Sequence, residues 1–164
     1  RQRRQSGDDD QRRNDYNSAT NSAKNSVADA LLGASGAFYL GGRFAHDERA
    51  KATGLLAFEA IVDETVVVSA LKAATNRERP NKANGRQDFL DGGSSFPSGH
   101  AAASWAFAEV VSEQYRDEPV VRWSAYGVAT AVTIARVTAQ KHSPSDVYVG
   151  ALIGYLIGRH VARR

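Results

Sequence analysis

The chain has 164 residues, 42% of them hydrophobic and 24% charged, a balance that supports one domain with a real core. It has no cysteine, which excludes a disulfide framework and thiol chemistry. Its formal net charge is +3, and the basic excess gathers at Lys72, Arg77, Arg79, Lys82 and Arg86 without interleaved aromatics, which argues against a nucleic-acid platform.

Residues 1–16 are almost entirely Arg, Gln, Asp and Asn and read as a flexible polar arm. Residues 17–164 read as a single helical domain. An Ala-rich amphipathic helix is expected from about Asn17 to Leu40, ended by Gly41-Gly42. A second runs from about Asp47 to Thr75, with Phe58, Val62, Thr65, Ser69 and Lys72 on one face. Residues 76–96 form a loop rich in Asn, Gly, Arg and Asp, long enough to suggest a working role. A third helix opens near Ser98 and reaches about Tyr115. Asp117-Glu118-Pro119 divides it from a fourth, over about 120–138. A fifth starts at Ser143-Pro144, where Ser143 suits the N-cap, Pro144 the first helical position and Asp146 the acid of a capping box. Gly150, Gly154 and Gly158 give this last helix a smooth face for tight packing. The uncharged runs Trp123 to Ala135 and Val147 to Gly158 fall short of the roughly 20 residues a membrane crossing needs, so buried core helices are expected. The chain contains no methionine, so it reads as a processed or trimmed form with any signal or anchor lying upstream.

Three clusters carry chemistry. Lys72 and Arg79-Pro80 place two cations at a helix end, where they can converge on one anion, and Pro80 stops the helix. In Phe96-Pro97-Ser98-Gly99-His100, Ser98 and Gly99 open a helix with unpaired backbone N–H groups and the positive end of its dipole, and His100 stands one residue further. Arg136 closes the fourth helix, His142 precedes the fifth, and Asp146 can accept from one imidazole nitrogen and leave the other to attack. Taken separately, each cluster has a structural explanation: a helix terminus, a plain N-cap, a loop histidine beside a capping acid. Together they supply what phosphoryl transfer needs, namely fixed cations, a nucleophile and an acid for the leaving oxygen.

The order and internal spacing of these clusters resemble the three-part signature of the type 2 phosphatidic acid phosphatase superfamily, which includes lipid phosphatases, bacterial acid phosphatases and vanadium-dependent haloperoxidases. The motifs span residues 72–146, and the helical pattern extends the likeness to roughly 48–160. One position departs: the third motif usually begins Ser-Arg, and here it is Ala135-Arg136. The resemblance implies an all-α bundle of about five helices and a phosphoric ester hydrolase. It implies His142 as the nucleophile that forms a phosphohistidine, Asp146 as its orienting acid and His100 as the general acid. Lys72, Arg79, Ser98, Gly99 and Arg136 would hold the phosphate. It implies no metal and no cofactor, although vanadate or phosphate could occupy the site. The expected partner is a phosphorylated small molecule or lipid, with no nucleic acid, and an apolar lip at Phe89, Phe96 and Trp105 is the candidate for lipid or peripheral membrane contact. It also implies export to a periplasmic or extracellular compartment. Two alternatives stand beside it: a vanadate-dependent haloperoxidase, and a non-catalytic phosphate-binding domain. The paired histidines favour an enzyme, because binding alone needs only the cations. His46 and His160 match no motif and read as structural or surface residues.

Overall fold

The computed structural model describes residues 27–80, 88–90 and 92–164. The expected arm at 1–16, the first ten positions of the first helix and the basic residues Lys82 and Arg86 lie outside the described residues. Within them the chain is all-α, with five helices and no strand: α1 (residues 27–45), α2 (Glu48–Thr75), α3 (Gly99–Gln114), α4 (Pro119–Thr138) and α5 (Pro144–Ala162). The expected five-helix bundle is present.

Helix α3 lies at the centre and touches α2, α4 and α5. Its Ala-rich sequence explains this position: Ala101, Ala102, Ala103, Ala106 and Ala108 are all essentially buried, so neighbours approach its backbone from several sides. The closest approach comes from α5. A Cβ added at Gly150, Gly154 or Gly158 would stand 2.4, 2.0 or 2.5 Å from the carbonyl oxygens of Ser98, Ala102 and Ala106. The three glycines are therefore a track along which α3 lies backbone to backbone. Ala57 and Ala60 of α2 join Ala106, Val110 and Val161 in the central apolar cluster.

Two details differ from the sequence expectation. Gly41-Gly42 do not end α1, which continues to residue 45 and closes at His46, in the left-handed region at φ 57°. Gly42 is needed for proximity instead: a Cβ there would meet Lys51 N at 2.3 Å, where the start of α2 crosses α1. His46 and His160 are both exposed, as expected. The face of α2 also differs. Phe58 and Val62 point outward, 53% and 44% exposed, and the buried face is Thr53, Gly54, Ala57, Ala60, Ile61, Glu64 and Val68. Close contact selects the small residues for the interior and leaves the large apolar ones outside.

The caps follow the sequence. Ser98 caps α3 and accepts from Ala101 N, and Ser143 and Asp146 form the reciprocal capping box of α5. Pro119 opens α4 rather than merely separating it from α3. Trp105 is a packing residue, not part of a lip: its indole donates to Thr133 Oγ1 at 3.0 Å and its ring lies 5.8 Å from that of Tyr126.

Candidate active site

The end of α2, the loop that follows it and the starts of α3 and α5 meet around one cavity of about 380 Å³. Lys72, Arg79, Gly99, His100 and His142 all line it. Ser98 and Asp146 are fully buried just behind, and the two segments are tied directly, since Ser98 N donates to the Asp146 carbonyl at 2.9 Å. The loop is held by its own backbone. Asn76 adopts the left-handed conformation at the end of α2, Gly93 N donates to Asn76 O, and Ser95 N donates to Arg77 O at 2.8 Å. Thr75 Oγ1 reaches Phe96 O at 3.0 Å. Lys72 Nζ donates to Ser94 O at 2.8 Å, which fixes the ammonium at the cavity wall.

His142 is 97% buried, being 3% exposed, and its Nδ1 lies 2.7 Å from the Ser95 carbonyl. A carbonyl can only accept, so Nδ1 carries the proton and Nε2 holds the lone pair. Asp146 was the expected acceptor, but its Oδ2 stands 3.8 Å from Nδ1, an electrostatic distance rather than a hydrogen bond. Ser95 is thus the direct orienting group, through a backbone atom that no side-chain pattern could reveal. Asp146 supports it from one step further: Oδ2 accepts from Ser95 Oγ at 2.5 Å and from Ser143 N at 2.9 Å.

Burial lowers the pKa of His142, and Lys72 and Arg79 add to that, while Asp146 and the Ser95 carbonyl oppose it. The net shift is downward, which keeps the ring neutral and nucleophilic near neutrality. For Asp146, burial alone would raise the carboxyl. Its contacts to His142, Ser95 and Ser143 outweigh that and hold it well below the usual carboxylate range.

Arg77 was counted in the sequence only as part of a basic loop. Its Nη1 donates to Asp146 Oδ1 at 2.6 Å and to Ser145 Oγ at 3.0 Å, and its guanidinium lies 4.9 Å from the centre of the Phe89 ring. It gives the buried Asp146 a charged partner. Arg77→Ala is expected to destabilise the fold by about 2 kcal/mol, because a buried carboxylate keeps only its neutral donors. It should also cut kcat more than it raises KM. Thermal melts and steady-state kinetics on the same preparation check both effects, and an unchanged melting temperature would contradict this role.

Arg136 does not line the cavity. It is half-buried, its Nε has no hydrogen-bond partner, and burial together with the charge of Arg79 pulls its pKa down. Two guanidiniums close enough to repel, with the Arg136 Nε donor unused, make an arrangement that an anion would relieve.

A family model described as the PAP2 superfamily matches residues 52–164. The chain belongs to the PAP2 superfamily. Among solved structures, this PAP2 chain is similar to LpxE of Aquifex aeolicus, with a TM-score of 0.60 and 28% identity over 77% of this chain and 74% of that one. It shares its fold with a transmembrane PAP2-type phosphatidylglycerolphosphate phosphatase from Bacillus subtilis, at a TM-score of 0.53 and 21% identity, covering 87% of this chain and 84% of that one. A curated relative, the lipid A 1-phosphatase of Porphyromonas gingivalis, is 37% identical over 65 residues, which is 39% of this chain and 15% of that protein. The chain therefore spans only a small part of the length of the curated relative it matches.

Proposed function

We propose that this PAP2 protein is a metal-independent phosphatase that hydrolyses phosphate monoesters of lipids through a phosphohistidine intermediate. The observation that carries the reading is the convergence of His142, with Nε2 unprotonated, and the cations Lys72 and Arg79 on one cavity that also holds His100. Lys72, Arg79 and Arg136 would take the non-bridging phosphoryl oxygens, with the Gly99 N–H at the start of α3 helping to hold the charge. His142 Nε2 attacks phosphorus, the P–O bond to the alcohol breaks, and His100 gives its proton to the departing alkoxide. Water then attacks the phosphohistidine with His100 as base, releasing phosphate and restoring His142. Asp146, backed by Arg77, stabilises the histidine as it gains charge. Phosphate, as product, and vanadate, as its analogue, would compete for the same clamp.

The lipid part of the reading is supported by the relatives' substrates and by a second cavity. An apolar groove of about 560 Å³ runs between α1, α3 and α4, lined by Leu31, Phe38, Phe107, Val111, Val121 and Val132 among others. Consecutive residues line the two, Ala28 and Ala103 the phosphate cavity and Val27 and Ser104 the groove. A phosphate head in one and an acyl chain in the other would use both. Exposed apolar side chains, including Phe89, Leu90, Phe58, Val66 and Trp123, fit peripheral contact with a membrane surface. Among the described residues no helix is long and apolar enough to cross a membrane. We infer an exported compartment for the protein.

A substrate panel of phosphatidate, a prenyl pyrophosphate and small soluble phosphates, run with and without detergent, tests the reading. Hydrolysis of the lipid esters without added metal is expected. Tight phosphate binding with no hydrolysis of any ester would overturn it in favour of a binding domain, and vanadate-dependent halide oxidation would overturn it in favour of a haloperoxidase. The pH profile should be bell-shaped. Attack fails as pH falls through the pKa of His142, and since burial lowers that pKa, the acid limb should lie below the usual histidine value. The alkaline limb should follow loss of the His100 proton. A rate flat from acid to alkaline pH would contradict the paired roles.

A further inference from the structure

Glu64 lies on α2, eight residues before Lys72, about 12 Å further along the helix axis. It lines the same cavity as Lys72, Arg79, His100 and His142, and among the described residues it is the one carboxyl in that lining. It is only 3% exposed. Its Oε1 has a single long contact, 3.4 Å from a Thr65 hydroxyl already committed to Ile61 O at 2.7 Å. Its Oε2 is buried with no hydrogen-bond partner among the described residues. A buried carboxyl in this condition is costly to the fold unless something completes it. Beyond Thr65 and the charge of Lys72, the described residues give it nothing, and it opens onto the cavity.

The phosphoryl group is not what completes it. The cations sit at the Lys72 end, and a carboxylate would repel phosphoryl oxygens. What reaches Glu64 from the clamp is the alcohol part of the ester. We propose that Glu64 binds a hydroxyl on the substrate's alcohol moiety, so that the site prefers phosphate monoesters of polyhydroxy alcohols over those of plain alkanols. The inference takes the phosphate position from the phosphatase reading above but concerns binding, not bond cleavage. The state of the carboxyl suits the role. Burial, only partly offset by Thr65 and Lys72, pushes its pKa up to about 7. Around neutrality much of it is uncharged, so it can both donate to and accept from a hydroxyl without repelling the neighbouring phosphate.

The test compares two phosphonates that cannot be hydrolysed, 3,4-dihydroxybutylphosphonate and butylphosphonate, which differ only in their hydroxyls. Binding is measured by calorimetry to the wild type, Glu64→Gln and Glu64→Met. The wild type should bind the dihydroxy compound about tenfold more tightly or better. Glu64→Gln, which keeps a donor and an acceptor in the same shape, should retain that ratio within about threefold, and Glu64→Met should bring it close to one. Glu64→Met should also melt no lower than the wild type, because it removes a buried polar atom that had no partner. Equal wild-type affinities, or a ratio that survives in Glu64→Met, would overturn the proposal, as would a large drop in melting temperature for both variants. Turnover of glycerol 3-phosphate against propyl phosphate is measured in parallel. If neither these nor the lipid esters of the panel are cleaved while the binding ratio behaves as expected, the phosphatase reading falls and the Glu64 assignment stands. If both are cleaved at equal kcat/KM with equal binding, the assignment falls alone.

Discussion

Replacing His142 with alanine should reduce phosphate ester turnover by on the order of 10⁴-fold or more, with little change in the fold. A fixed hydrogen bond directs the lone pair of this ring, since the Ser95 carbonyl 2.7 Å from Nδ1 leaves Nε2 to react. Lys72 is held at Ser94 O, and in the proposed mechanism His100 is committed to protonating the leaving oxygen. Binding should respond differently. Lys72, Arg79 and Arg136 remain, so phosphate or vanadate should still bind, weakened by no more than about tenfold. Burst kinetics and acid-quench trapping of labelled phosphate on the wild type, absent in the variant, would identify the covalent step. Wild-type hydrolysis retained by the variant would sink the mechanism, whereas loss of both binding and folding would reduce His142 to a structural residue.

Gly154→Ala should be among the most damaging single changes available to this chain. The added Cβ would lie 2.0 Å from the Ala102 carbonyl oxygen, 2.8 Å from its carbon and 2.9 Å from its Cα. All three are backbone atoms of a buried helix and cannot rotate away. Helices α3 and α5 must separate, and the contacts at Gly150 and Gly158 loosen with them. A loss of about 3 kcal/mol or more is expected, roughly a 10 °C fall in melting temperature for a domain of this size. Gly127→Ala is the control. It lies on α4 with nothing within 4 Å of the added atom, and it should gain about 0.5–1 kcal/mol from helix propensity. Comparable melting temperatures for the two variants would refute the close approach of α3 and α5.

What was legible in the sequence was what is encoded locally. The Ser98 cap, the Ser143–Asp146 box, Pro144 and the glycine spacing of α5 each specify a turn or a face within a few residues, and each is found as read. The order of Lys72, Arg79, His100, Arg136, His142 and Asp146 could be read because their side chains carry charge or a titrating ring. Ser95 could not, because it acts on His142 through its carbonyl, which every residue possesses. Arg77 was one cation among five in a basic stretch, and only the fold selects it for Asp146. Periodicity found the helix and one face of α2 but not which face turns inward, since a helix packed this closely buries its alanines. The same ambiguity hid Glu64, which lies on that small-residue face. Gly41-Gly42 were misread because a glycine placed for proximity has the same signature as one that ends a helix.

The hydrogen bond from Ser98 N to Asp146 O, together with the glycine track beside it, has an evolutionary consequence. The helix that presents His100 and the segment that presents His142 are effectively one piece, and relative drift between them would break backbone contacts. The face of α2 that carries Glu64, and the described loop residues 76–80 and 92–95, are joined to this piece mainly through side chains. Mutations there can reshape what is recognised while the reacting groups keep their spacing. Diversification of substrates among descendants of such a chain would therefore concentrate on α2 and its loop, and leave the α3–α5 seam almost untouched.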